Sequence, residues 1–260
     1  MRIFLFLISF ALLSSSVRAQ DLSHYEKKTF FSSRGDTLPY RILYPLNYDP
    51  SKKYPMFLVL HGAGERGNNN EAQLTHGARL FLADSNRTGY PAIVVFPQCP
   101  QNSFWAKANV NRNTTPFEIS FDYSGAASAP LNAAIELTRQ LIKDGSVDKR
   151  KVYVTGLSMG GMGTFEAVYR EPKLFAAAGP ICGGGNSQAY NKKTARVPFR
   201  VFHGAADAVV NVKLSQEMVA RLKELNATVE YFEYPGVNHN SWDNAFAEPD
   251  FISWFYQRKK

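Results

Sequence analysis

The chain reads as an α/β protein, a mostly parallel sheet with helices on both faces. Three observations lead there. Apolar runs alternate with amphipathic, helix-like stretches along the chain. Several runs are continuously apolar, as strands covered on both faces must be. The runs also end in glycine-rich turns, the punctuation of strand-to-helix connections.

At the N-terminus, Arg2 supplies a positive charge before an apolar stretch over residues 3–13, and Val17-Arg18-Ala19 follows a serine triplet. This is the pattern of an export signal cleaved after Ala19. About eleven apolar residues are too few to span a bilayer, which takes roughly 20. The expected mature chain is therefore a single domain over residues 20–260, secreted or periplasmic, with no integral membrane segment.

About 240 residues suit one large α/β domain, and a hydrophobic content of 45% with 13% aromatics is enough for a sizeable core. The formal charge falls from +8 to +6 when Arg2 and Arg18 leave. Apart from Lys192-Lys193 and the terminal Arg258-Lys259-Lys260, the basic residues are scattered. Without a basic stripe, nucleic acid is not an expected partner.

Residues 40–44 read as an early strand, stopped by Pro45. Residues 56–60, 92–96, 151–155 and 199–202 are four further strands, and residues 228–234 alternate like a strand nearer a sheet edge. Between them, residues 131–142 carry apolar side chains at helical spacing. Residues 160–169 form a helix ended by Pro172, and residues 212–225 form another amphipathic one. Ligands of such sheets bind beyond the carboxyl ends of the strands.

Those ends carry His61-Gly62-Ala63-Gly64-Glu65-Arg66-Gly67, Gly156-Leu157-Ser158-Met159-Gly160, His203-Gly204-Ala205-Ala206-Asp207 and Val237-Asn238-His239. A Ser, an Asp and a His thus arrive in order at three strand ends. In a G-x-S-x-G turn the serine sits on a sharp bend that tolerates only glycine beside it, and its Oγ stands above the sheet. The expected catalytic group is Ser158 as nucleophile, His239 as general base and acid, and Asp207 as its orienting partner. An ordinary imidazole pKa of about 6.5 suits both duties of His239. Asp243 and Glu233 compete for the acid role, but Asp207 lies on the expected strand end. The backbone N–H groups of Met159 and Ala63 are the expected oxyanion donors, each worth about 3 kcal/mol.

His61 and His203 read as structural, and His24 and His76 have no partner pattern. No group of side chains has zinc spacing and no phosphate loop is present, so neither metal nor cofactor is expected. Cys99 and Cys182 lie past strands separated by two others, roughly 14 Å apart at about 4.8 Å per strand. A bridge needs Cα atoms within about 7 Å, so two free, buried thiols are expected.

Taken together, residues 61–67, 156–164 and 239–242 resemble secreted α/β-hydrolases of the feruloyl/acetyl-xylan esterase and polyhydroxybutyrate-depolymerase-like group. Members of that group are often labelled predicted peptidases or phospholipases. The resemblance runs from about Phe30 to the C-terminus. It implies an α/β-hydrolase fold and cofactor-free hydrolysis of carboxylic esters, often on plant cell-wall polysaccharides. Polyester depolymerase, serine peptidase and an inactive binding protein stay open as alternatives.

Only residues 182–198 separate the strand after the nucleophile helix from the one leading to Asp207, too few for a cap domain. An open site suits a bulky, solvated ester, acetyl or feruloyl, on a polysaccharide. The segment over residues 97–130 should overhang that site. Trp105 within it is the candidate substrate contact, with a loop-anchoring role as the alternative. Trp242 should fix the His239 loop, and Glu65 and Arg66 should pair to brace the oxyanion loop.

Overall fold

A computed structural model describes residues 21–260, so the expected export signal lies outside the described residues. Ten strands and seven α-helices make up the described fold. The strands are β1 (Glu26–Phe31), β2 (Thr37–Leu43), β3 (Tyr54–Leu60), β4 (Ile93–Pro97), β5 (Ala108–Asn111), β6 (Glu118–Phe121), β7 (Val147–Leu157), β8 (Ala177–Ile181), β9 (Phe199–Gly204) and β10 (Val229–Tyr234). The helices are α1 (Ala78–Leu82), α2 (Asp84–Gly89), α3 (Ala129–Lys143), α4 (Met159–Arg170), α5 (Lys213–Glu224), α6 (Trp242–Ala247) and α7 (Phe251–Tyr256).

Eight strands form one sheet in the order β1-β2-β4-β3-β7-β8-β9-β10. Pairing is parallel from β4 through to β10, whereas β2 runs antiparallel to both β1 and β4. From β3 the chain steps to β4 on one side and then crosses back to β7 on the other. That reversal opens a crevice past the carboxyl ends of β3 and β7, where ligands of open α/β sheets bind.

The period-2 alternation of β3 sorts its side chains between two cores. Met56, Leu58 and Leu60 join α3, α4 and α5 on one face, while Phe57 and Val59 join α1 and α7 on the other. This double burial is why residues 56–60 read as an unbroken apolar run. Rings dominate the second face: Phe57 packs on Phe81, Tyr153 and Phe255 with centroids 4.9–5.4 Å apart.

The six expected strands and three expected helices are present, with somewhat different ends. Between β8 and β9 the chain makes only two 3-10 turns, Ser187–Ala189 and Thr194–Arg196, and no cap. The overhanging segment instead folds into its own antiparallel hairpin, β5 with β6. Cys99 and Cys182 follow β4 and β8, are buried and are not bridged.

Candidate active site

Ser158 sits between β7 and α4 with φ 53° and ψ −116°, the left-handed side of backbone space that side chains avoid. The bend is affordable only because its neighbours are bare. A Cβ on Gly160 would lie 1.9 Å from the Leu60 carbonyl oxygen, so α4 can start against β3 only with glycine there. The Ser158 N–H donates to Ile181 O at 2.9 Å, tying the bend to the end of β8.

His239 arrives on the loop after β10. That loop lies across the end of β9, where a Cβ on Gly204 would meet the carbonyl oxygens of Val237 and Asn238 at 2.3 and 2.4 Å. Asn238 Oδ1 accepts the N–H groups of Ala208 and His239, at 2.9 and 2.8 Å, and so clamps the His239 loop to the Asp207 loop. His239 Nδ1 lies 2.8 Å from Asp207 Oδ2, and its Nε2 lies 2.9 Å from Ser158 Oγ. Because a carboxylate only accepts, Nδ1 carries the proton and Nε2 is free to take one from the serine.

Asp207 is buried, and burial alone would raise its pKa. Contacts from His203 and His239 and the Val209 N–H outweigh it and hold the carboxyl well below the usual range. Its second oxygen, Oδ1, accepts the N–H groups of Val209 and Val210, both at 2.9 Å. The rival acids are committed elsewhere. Asp243 accepts from Asn240, and Glu233 accepts from Gln216 and Tyr231.

Ala63 and Met159 each open a helical turn, so their N–H groups have no partner within it. Both residues line the cleft in front of Ser158. The loop carrying Ala63 is fixed by His61, which burial drives down to a pKa of about 4 and so keeps neutral. Its Nδ1–H donates to Gly62 O at 2.6 Å, and Nε2 accepts the Cys99 N–H at 3.0 Å. This gives His61 the structural role expected for it.

The cleft has a volume of about 310 Å³. Val110, Phe117 and Ile119 of the hairpin segment form its roof, and Phe104, Leu157, Met162 and Val209 complete an apolar wall. Val110 and Ile119 face each other across the hairpin and share one side of it, by period-2 alternation.

Two expectations need correction. Trp105 is wholly buried and does not reach the cleft. Its Nε1–H donates to His61 O at 3.1 Å and its ring meets the His61 ring edge-on, so it braces the loop carrying Ala63. Phe104, one residue earlier, lines the cleft instead. Nor do Glu65 and Arg66 pair. Glu65 Oε1 lies 3.7 Å from His76 Nε2, while Arg66 donates to the carbonyls of Ala63 and Ser103. Trp242 stands between the rings of His76 and His239, at 5.0 and 5.5 Å, and both packs the His239 loop and lines the cleft.

Cys182 Sγ, an Asp207 oxygen and a His239 nitrogen lie within 4.8 Å of one another, the only such trio among the described residues. A soft metal would need the thiolate, yet burial pushes the Cys182 thiol far above its ordinary value. The carboxylate and imidazole are already spent on each other, so this trio is a poor metal site.

A strained serine bend at the switch point of a largely parallel sheet, facing Asp and His from later strand ends, fits an α/β-hydrolase fold. The chain belongs to the phospholipase/carboxylesterase family, which it matches over residues 49–253. It is a serine hydrolase acting on ester bonds. It is 24% identical to a carboxylesterase of Arabidopsis thaliana over 70% of this chain and 82% of that protein. It is also 29% identical to a bifunctional acetylxylan esterase/xylanase of Neocallimastix patriciarum, over 64% of this chain but 21% of that larger protein. Among solved structures, a thermostable esterase superposes with a TM-score of 0.81 at 34% identity, over 91% of this chain and 64% of that one. A ferulic acid esterase of Anaeromyces mucronatus shares the fold, with a TM-score of 0.63 at 17% identity over 89% of this chain and 90% of that one.

Proposed function

We propose that residues 20–260 form a secreted serine carboxylesterase that removes acyl groups from carbohydrate-linked substrates. The observation that carries this reading is the unbroken contact from Asp207 through His239 to Ser158 Oγ, at 2.8 and 2.9 Å, opening into an apolar cleft. Ser158 Oγ attacks the ester carbonyl as His239 Nε2 takes its proton, and Asp207 stabilises the resulting imidazolium. The N–H groups of Ala63 and Met159 receive the oxyanion. Collapse expels the alcohol, which takes the proton held by His239 and leaves an acyl-serine. Water then attacks the acyl carbon, giving its proton to His239, and the serine departs with that proton as the acid is released.

The cleft bears on the acyl group. A cleft of about 310 Å³ walled by Phe104, Phe117, Val110 and Ile119 has apolar room for an aromatic acyl group, and an acetyl group would leave most of that wall uncontacted. A feruloyl-type ester is therefore favoured over an acetyl one. The relationship to an acetylxylan esterase/xylanase supports a carbohydrate alcohol. Export is supported by the N-terminal pattern and by 24% identity to a secreted protein of Arthroderma benhamiae, over 81% of this chain and 24% of that protein.

Hydrolysis of p-nitrophenyl acetate by the wild type and by Ser158→Ala tests the nucleophile; equal release of nitrophenolate overturns it. Feruloylated arabinan, acetyl-xylan, polyhydroxybutyrate and peptide amides then separate the substrates. Fastest turnover of the polyester or the amide would replace the carbohydrate esterase with a depolymerase or peptidase.

A further inference from the structure

Beside the cleft runs an open groove lined by Ala63, Gly64, Arg66, Phe104, Ala108, Val110 and Arg112. Its lining contains two arginines and no acid. Arg139, Arg150, Arg170, Arg200, Arg221 and Arg258 all lie against carboxylates. Arg66 and Arg112 pair with no carboxylate among the described residues, and of the seven arginines there without one (with Arg34, Arg41, Arg79, Arg87 and Arg196) they are the two that line this groove. Each is held over a ring instead: Arg66 at 4.7 Å from the Phe104 centroid and Arg112 at 5.1 Å from that of Phe117. Stacking fixes a guanidinium while leaving its edge N–H groups able to meet an anion. Arg66 has already given Nε and Nη1 to the Ala63 and Ser103 carbonyls, so its Nη2 side is what it offers the groove.

The nearest acids turn away from this groove. Glu65 is directed at His76, and Glu118 accepts from Asn111 on the outer side of the hairpin. Ala63, Gly64, Phe104, Val110 and Arg112 line both groove and cleft, so the two spaces are continuous past the oxyanion loop. An ester held at Ser158 has two halves. The apolar cleft takes the acyl half, and the groove is the cationic, solvated surface left for the alcohol half.

We propose that this groove is a subsite for a carboxylate on the alcohol, a uronic acid in the carbohydrate, recognised by Arg112 with Arg66 behind it. The proposal rests on the carbohydrate-esterase reading for the place of the alcohol, and on the unpaired arginines for its charge. A sugar carrying one carboxylate matches two guanidiniums presented from separate loops along one groove. Phosphate sites gather convergent backbone N–H groups, and here those of Ala63 and Met159 face the oxyanion position.

The test compares kcat/KM for feruloyl esters of methyl xyloside, methyl glucuronoside and glycerol phosphate, using the mature chain at low and high salt. The glucuronoside is expected to lead the xyloside by about tenfold at low salt, the size of a charge-assisted hydrogen bond. That lead should shrink with added salt. Arg112→Gln should remove most of the ratio and Arg112→Lys should keep part of it. Equal rates for the two sugars, an unchanged ratio in Arg112→Gln, or a preference for the phosphate ester overturns the subsite. If the wild type cleaves no ester, the esterase reading fails and binding decides the subsite by itself. Ser158→Ala should then bind glucuronoxylan oligosaccharides more tightly than neutral xylo-oligosaccharides, and equal affinity refutes the proposal.

Discussion

His203 Nε2 lies 3.2 Å from Asp207 Oδ2, the same oxygen that faces His239 Nδ1 at 2.8 Å. One carboxylate oxygen therefore serves two imidazoles, a buried one on β9 and one at the reacting end. His203 is anchored by Ser215 Oγ at 2.7 Å and by Val210 O at 3.0 Å, so it holds Asp207 without touching the cleft. Its removal takes a hydrogen-bonding group from a buried carboxylate, and the Asp207 pKa should rise toward the ordinary range. His203→Ala is expected to lower kcat about tenfold, with KM within about twofold. The acid limb of its pH–rate profile should also move to higher pH. An unmoved acid limb alongside a lower melting temperature would reduce His203 to packing.

The depressed pKa of Asp207 has a consequence for stability. Its folded pKa lies below the unfolded value of about 3.9, so the ionised group stabilises the fold above about pH 4. That contribution is lost as pH falls through the folded pKa. Asp207→Asn has no such proton to bind, so its melting temperature should fall less steeply than the wild type's from pH 5 to pH 2. Parallel slopes would show the carboxylate unperturbed. The same variant should lose about ten-thousand-fold in kcat, because an amide stabilises the wrong imidazole tautomer.

Two glycine-to-alanine changes should behave oppositely. At Gly160 the new methyl would sit 1.9 Å from the Leu60 carbonyl oxygen, with rigid backbone on both sides. The expected outcome is loss of soluble folded protein, or of several kcal/mol where it persists. At Gly89, in the last turn of α2, nothing lies within 4 Å of the added carbon. Gly89→Ala should change stability by under about 1 kcal/mol. Thermal melts of the two purified variants decide it, and equal melting temperatures would mean α4 can retreat from β3.

What could be read in the sequence was whatever had a local signature. Buried parallel strands announce themselves as apolar runs, and a sharp turn announces itself by glycine, so the strand-end positions that bring Ser158, Asp207 and His239 into contact were legible. Strand β1 was not: Glu26-Lys27-Lys28 on an exposed edge looks like a charged loop. The hairpin was hidden because its four-residue strands alternate Val110 and Ile119 with Asn109, Asn111 and Glu118, too short a pattern to stand out. The choice between Phe104 and Trp105 was invisible for a different reason. Both are large aromatics in one loop, and only tertiary packing under His61 decides which points into the cleft. His76 was missed because its partners, Glu65 and Trp242, come from two distant loops.

The hairpin that roofs the cleft is anchored by an ion pair at its base. Glu166 on α4 is fully buried, and burial raises its pKa. Its Oε2 accepts the Lys107 N–H at 2.6 Å, just before β5, and Oε1 accepts Nε and Nη2 of Arg170 at 2.8 and 2.7 Å. Arg170 in turn donates to the carbonyls of Gly125 and Tyr123, just past β6. Both ends of the hairpin segment are thus fastened to the helix that begins at Ser158. Glu166→Gln leaves Arg170 without its counter-charge, which should cost about 3 kcal/mol of stability. A loosened roof matters most to an acyl group that fills the cleft, so KM should rise more for a feruloyl ester than for an acetyl ester of the same alcohol. Equal changes in the two KM values would mean the hairpin keeps its position without the ion pair.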